Sequence, residues 1–317
     1  MRSEAELRDF FRQDLLPELR AYERRRKAAL RSLWHWSVGA LAAPTLIAAL
    51  ALWHPAPLVI VVVYVAFRWL RVFARIRRDQ KKNLVSRVLA FWNPELEYEP
   101  DGFVNEADFR LSGLFPENWK RYRGEDLVTG QLGDTWFQFS ELRVDRGKRR
   151  NDETKTFSGL FFVADFHKSF SGRTVLLPDV AERTFGVFGR AFQQLQRVAG
   201  GRLVTLESPE FEKLFKVYST DPTEARYILT PSLMESIVRL RRNTGSALRI
   251  GFAGERLHLA MPLAVDLFEL DATKSAIGEE AMRGWIGELE LVTGLVEELD
   301  LNTRIWSKGA APAARSG

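Results

Sequence analysis

Five polar residues crowd one end of an apolar run: Asp165, His167, Lys168, Ser169 and Arg173. If the run is a strand, its period of two puts Asp165 and His167 on one face. A carboxylate orienting an imidazole is the pairing a general base requires. The same side chains also suit a strand terminus, where they pair with one another and cap a turn. The structural reading is preferred, because no nucleophile or oxyanion donor is identifiable beside them. A second group, Asp221, Glu224 and Arg226, follows Tyr218-Ser219-Thr220. There Asp221 reads as the cap of a turn or short helix with Pro222 at its first position.

Elsewhere the chain holds no P-loop, no paired-glycine dinucleotide fingerprint after a strand, no G-x-S-x-G elbow and no H-E-x-x-H helix. Of four histidines, His35 and His54 border an apolar segment, which leaves only His167 and His258, too few for an obvious histidine metal site. Cysteine is absent, which excludes disulfides, thiolate nucleophiles and thiolate metal ligands and suits a reducing compartment. No cofactor and no metal are expected.

The elements that would position these groups are mostly strands. Between about Asp108 and Pro178 the alternation of YRGEDLVTGQLGDTWFQFSELRV predicts an antiparallel meander broken at Gly130 and Gly133. Phe157 to His167, apolar on both faces, reads as a central strand covered on each side. Arg146 to Lys155 (RGKRRNDETK) reads as a solvated hairpin loop. The second half mixes elements: a helix over Asp179 to Arg197, short strands at Leu203 to Leu206 and Lys216 to Ser219, and helix starts at Ser208-Pro209 and Thr230-Pro231. The helix from Thr230 is expected to reach Arg242. Leu248 to Phe252 and Arg256 to Met261 form a hairpin around Gly254, and Glu279 to Leu299 an amphipathic helix. The fold class is therefore α+β, with helices packed on a largely antiparallel sheet.

Ahead of this domain, Ser32 to Phe67 is 36 residues long without one Asp, Glu, Lys or Arg. About 20 residues cross a bilayer core, so Leu33 to Trp53 suffices for one span. Trp34, Trp36 and Trp53 suit the two headgroup levels. His54-Pro55-Ala56-Pro57 breaks the helix, and Leu58 to Phe73 forms a second, weaker span with Arg68 and Arg71 snorkelling to the interface. A buried hairpin of a soluble protein and a secretory signal cut after Ala49-Leu50-Ala51 both fit this segment worse.

Residues 1–100 carry 17 Lys+Arg against 10 Asp+Glu, and the remainder 29 against 31. Basicity confined to the flanks of an apolar run suits anionic lipid, and no nucleic-acid partner is expected. The residues expected at lipid headgroups are Arg24, Arg25, Arg26, Lys27, Arg31, Arg68, Arg71 and Arg75. Such flanks, around an uncharged turn, place both termini in the cytoplasm of a protein of the inner (plasma) membrane. The expected order is an amphipathic helix over 1–31, bent at Pro17, with Leu7, Phe11, Leu15, Leu19 and Tyr22 as its stripe. There follow a transmembrane hairpin over 32–73 (spans near 33–53 and 57–73), a basic helical linker over 74–92, the cytoplasmic α+β domain over 93–306 and a disordered tail over 307–317.

The runs TGQLGD, FSGLFFVADFHKSFSGRTVLLPD and FKVYSTDPTEARYILTPSLMESI, after an LLPELRAYERRRK start and the hairpin, resemble a family of uncharacterised bacterial membrane proteins, the domain of unknown function 3137. The FFVADFHKSFSGRT and STDPTEARYILTP stretches are its specific parts. The resemblance spans nearly the whole chain and implies membrane anchorage and a cytoplasmic domain, with no reaction or catalytic residues.

Two functions follow as expectations. The leading one is a non-enzymatic scaffold or binding module, tethered to the membrane, that meets a protein partner or the anionic surface at the cytoplasmic face. The alternative is a membrane-tethered hydrolase or transferase using the Asp165/His167 face. A channel or transporter made by this chain alone fits poorly, because two spans without an intramembrane charge offer no pathway.

Overall fold

The computed structural model describes residues 6, 9–51, 56–117, 119–149, 152–166, 168–179, 201–263, 267–268 and 279–299. Within its first two long helices it describes no side chain at 41, 43–51, 56–58, 73 or 76–80. His167, the helix expected over 179–197 and the tail from 307 fall outside the described residues, apart from Asp179. The chain divides into two compact units: Met1–Pro94 with Phe268–Gly287, and Glu95–Leu267 with Glu288–Gly317.

In the first unit, helix α1 (Leu16–Ala51) and helix α2 (Ala56–Gln80) form a hairpin. The segment expected as an amphipathic helix is helical from Phe11, and α1 runs on from Leu16 without a break into the apolar segment. Strain from Pro17 is taken up just upstream, where Phe11–Leu15 form a π-helical turn. Proline offers no N–H and crowds the carbonyl four residues back, and a wider turn relieves both. Phe11, Leu15 and Leu19 are buried, as are Leu84, Val85, Val88 and Leu89. Phe10 stacks on Phe91 at 4.0 Å, and Arg87 pairs with Glu18 at 2.7 Å. The apolar stripe of the N-terminal segment is thus covered by the chain itself, through a second π-helical turn (Lys81–Val85) and helix α3 (Ser86–Trp92). Asn93, extended because Pro94 follows, ends α3 and donates its N–H to the Leu89 carbonyl at 2.8 Å.

Along the hairpin, Trp69 donates its indole N–H to the Ser37 hydroxyl (2.9 Å), Trp36 meets Tyr64 edge-on, and the Arg68 guanidinium lies 4.7 Å above the Trp36 ring. The two helices therefore run side by side at the Trp36–Trp69 level. Among the described residues no helix is long and apolar enough to cross a membrane; the uncharged side chains at 43–51 and 56–58 are not among them.

The second unit is built on one antiparallel sheet of nine described strands, ordered β1-β2-β3-β4-β9-β8-β5-β7-β6. These are β1 (Glu97–Glu99), β2 (Arg121–Leu132), β3 (Thr135–Arg149), β4 (Asp152–Asp165), β5 (Arg173–Pro178), β6 (Arg202–Val204), β7 (Phe215–Ser219), β8 (Arg249–Ala253) and β9 (Arg256–Pro262). Strand β4 is central, between β3 and β9, and Leu160 through Ala164 are fully buried on both faces, as its unbroken apolar run predicts. Gly159 within it, at φ +150°, leaves no room for a side chain: a Cβ there would meet the Met261 carbonyl oxygen at 2.2 Å.

Two expectations change. Asp108 lies in helix α4 (Glu106–Leu111), not in the meander. The stretch 146–155 is mostly strand, because β3 and β4 continue through it. Their register sets Lys148 opposite Glu153 and Arg149 opposite Asp152.

Four further helices are described: α5 (Pro209–Glu212), α6 (Pro222–Ile228), α7 (Pro231–Thr244) and α8 (Glu279–Glu298). Ser208, Asp221 and Thr230 cap the first three, each ahead of a proline at the first helical position. Helix α7 ends at Thr244, two residues beyond Arg242, and is capped by Gly245 in the left-handed region.

Helix α4 presses Phe109 onto one sheet face. Phe115, Trp119, Tyr122, Phe157 and Phe161 surround its ring at 5.0–6.3 Å. Burying that one side chain contributes about 1.5–3 kcal/mol.

Candidate functional site

The polar centre of the sheet unit lies beneath α4. Asn105 caps that helix, accepting the Asp108 N–H at 2.8 Å and returning its own amide to Asp108 Oδ2 at 2.9 Å. Asp108, nearly buried, also accepts from Gln138 Nε2 at 2.9 Å and, on Oδ1, from Arg256 Nη1 at 2.8 Å. Gln138 of β3 and Arg256 of β9 reach it because alternation aims them at the same face as Phe161 and Val163 of β4. Arg256 covers the Trp136 ring at 5.1 Å and lies 3.9 Å from Asp165.

Two residues along β9 from Arg256, His258 is fully buried. Burial pushes its imidazole down to about 4; the Asp108 carboxylate opposes this and Arg256 reinforces it. His258 is thus a neutral ring at pH 7, out of reach of solvent. With both Asp108 oxygens occupied by donors, this cluster joins α4 to β3 and β9.

Of the residues singled out in the sequence, Asp165 ends β4 and faces Arg256, its register partner. Lys168 sits 3.5 Å above the Tyr227 ring, and burial lowers its ammonium below the ordinary value. Glu224 does more than the capping reading of its group implied. Its carboxylate accepts from the Ser171 N–H and hydroxyl and from the Gly172 N–H, at 2.9–3.1 Å, and so holds the turn after β4. Asp221 accepts the Thr223 and Glu224 N–H groups at the start of α6. The residues that sequence reasoning passed over, Asn105, Asp108, Gln138 and Arg256, left one local signal: asparagine three residues before an aspartate, at a helix start.

In the hairpin unit, Arg24, Arg25, Arg31, Arg71 and Arg75 are exposed. Arg26 is buried and bound through two nitrogens to Glu23 (2.8 and 3.0 Å), which holds that carboxyl below its usual value. Lys27 approaches the same carboxylate at 3.4 Å. Arg68 covers Trp36 and Arg71 covers Phe67. Between α1, α2 and the start of α3 lies a cavity of about 550 Å³ whose lining includes Arg25, Arg26, Arg75 and Arg87. Farther along, Trp34, Val38, Val59, Ile60, Val62, Val63, Tyr64, Phe67 and Leu70 are all exposed, with Ile60 and Leu70 at 68% and 69%.

These features define an α+β protein in which a wide antiparallel sheet follows a helical hairpin that is apolar outside and arginine-rich at its base. Residues 155–301 match the model of a family described as "Protein of unknown function (DUF3137)". The LLPELRAYERRRK start and the hairpin lie outside the matched residues. No curated protein matches the chain. Among solved structures, that of the mycobacterial trehalose monomycolate transport factor A is similar over 66% of this chain and 96% of its own, at 13% identity and a TM-score of 0.31. At that score the likeness carries no argument.

Proposed function

We propose that the chain is a membrane-anchored, non-enzymatic binding module. In this reading α1 and α2 enter the bilayer at the Trp34–Trp36–Arg68 level and return, and both termini stay on the cytoplasmic side. The sheet unit there meets a protein partner or the anionic surface.

The observation that carries the reading is the exposed apolar band on α1 and α2. Nine large apolar side chains left in water would forfeit on the order of 10 kcal/mol of burial, a cost that lipid removes. Tryptophan and arginine meet at the edge of this band, as they do at a headgroup level. From Trp34 to the end of α1 is about 26 Å at 1.5 Å per residue, close to one hydrocarbon thickness. Arginines flank both helices while the turn between them has no charge, which supports the orientation.

Carbonate extraction of membranes carrying the full chain tests this. Wild type should stay in the pellet. Val63→Asp should shift the chain toward the supernatant, because a carboxylate at mid-bilayer costs roughly 2.5–3.5 kcal/mol. On a water-exposed helix the same change is worth within about 0.5 kcal/mol. Release of the wild-type chain, or an unchanged Val63→Asp, would overturn the anchor. Full-length protein that captures no partner above background and ignores anionic liposomes would overturn the binding role.

A further inference from the structure

The cavity of the hairpin unit is lined on one side by a single face of α1, where Glu18, Tyr22, Arg25, Arg26 and Ala29 recur at three- and four-residue spacing. Val72 and Arg75 of α2, and Leu84 and Arg87 beyond it, line the other side. Four guanidiniums thus face one space. Arg87 is matched by Glu18 at 2.7 Å and Arg26 by Glu23, which fixes those two in place. Among the described residues no carboxylate is paired with Arg25 or Arg75. Two forked cations on neighbouring helices line a common volume whose one carboxylate among the described lining residues, Glu18, is already paired with Arg87, an arrangement that matches the geometry by which arginine grips phosphate oxygens.

The volume narrows the ligand class. About 550 Å³ is far more than a bare phosphate occupies and falls in the range of sites for small organic ligands. Ala21, Ala29, Val72 and Leu84 give the same space apolar wall between the guanidiniums. Ala29 and Val72 mark its end nearest the apolar band, about one helical turn from Trp34 and Arg68. A ligand with an anionic head and an apolar body satisfies both kinds of wall.

We infer that this cavity is a discrete binding site for the phosphate group of an anionic amphiphile, gripped by Arg25 and Arg75, with a membrane phospholipid as the source. The lipid source rests on the membrane reading above; the cavity's affinity for phosphate does not. A basic collar that merely attracts an anionic surface would have no such preference for two of its arginines.

The test is native mass spectrometry of the full chain, released from detergent in the presence of phosphatidylglycerol, phosphatidylcholine or inorganic pyrophosphate. Wild type, Arg25→Ala/Arg75→Ala, the charge-keeping Arg25→Lys/Arg75→Lys, and Arg12→Ala/Arg20→Ala, which removes the same charge from α1 and its leading turn off the cavity, are compared. The expected result is one retained phosphatidylglycerol per chain. It should fall at least tenfold in the alanine pair and severalfold in the lysine pair, with Arg12→Ala/Arg20→Ala like wild type and phosphatidylcholine not retained.

Pyrophosphate binding with the same residue dependence, without lipid retention, would uphold the anion cavity and refute the lipid source. Equal losses in both alanine pairs, or no retained anion of either kind, would overturn the inference. Carbonate extraction of the same variants reports the anchor separately. A chain that stays in the membrane while retaining no anion refutes the cavity alone, and a chain that leaves the membrane yet binds pyrophosphate refutes the anchor alone.

Discussion

Replacing Asp108 by alanine removes three hydrogen bonds at once, and their environments set the expected cost. The Gln138 amide, itself buried, would lose its carboxylate acceptor, Asp108 Oδ2. An orphaned buried donor costs about 1–3 kcal/mol. Arg256 is about a third exposed and has Asp165 at 3.9 Å. It can turn toward solvent, so its share is discounted to roughly 1 kcal/mol from the 3–5 kcal/mol of a fully buried broken pair. Asn105 keeps its capping bond to the backbone and adds little.

Asp108→Ala should therefore destabilise the sheet unit by about 3 kcal/mol, read as a lowered urea midpoint of the full chain in detergent with tryptophan fluorescence as the probe. A second variant checks the reasoning as well as the size. Asp108→Ala/Gln138→Leu removes the orphaned donor too, and should be more stable than Asp108→Ala by about 1–2 kcal/mol. A loss under about 1 kcal/mol, or a double variant as unstable as the sum of its singles, would refute the account of this cluster.

Three further outcomes follow from the same structure. His258 has a folded value of about 4 against an ordinary 6.5, so between those values the unfolded chain binds a proton that the folded chain refuses. Its contribution is complete above pH 6.5 and is lost as pH falls toward 4. Stability should drop by roughly 3 kcal/mol over that window, and His258→Leu should flatten the drop in a urea series against pH. Glu224→Ala should cost about 1–2 kcal/mol and speed amide exchange at Ser171 and Gly172, whose N–H groups lose a charged acceptor; unchanged exchange would contradict the clamp. Gly159→Ala should abolish folding or lower the melting temperature by more than 10 °C, since its Cβ would collide with the backbone of β9.

Much of the sheet unit was legible because its signals are local. The two-sided apolar run of β4, the hairpin at Gly254 and the caps Ser208, Asp221 and Thr230 ahead of prolines each lie within one element. The tips of β3 and β4 were misread as loop because RGKRRNDETK looks solvated as a string; only the register that opposes basic to acidic residues makes it a ribbon. The Asp108 cluster was hidden for a different reason. Its partners Gln138 and Arg256 lie 30 and 148 residues away, and nothing in the spacing of a linear chain announces a contact that the order of strands creates. In the hairpin unit the uncharged run predicted two apolar helices. The cavity was not legible, because its wall joins one face of α1 to residues more than forty positions away, Val72 and Arg75 of α2 and Asn83 and Leu84 of the π-helical turn at 81–85.

The central claim is that α1 and α2 cross the membrane and return. Reporter fusions test it most directly, with alkaline phosphatase or a fluorescent protein placed after Trp53 and, separately, after Gly317. The account predicts phosphatase activity only at the turn and fluorescence only at Gly317. Phosphatase activity at Gly317 would mean a single crossing with an exported sheet unit, and fluorescence at both positions would mean no crossing; either result contradicts it.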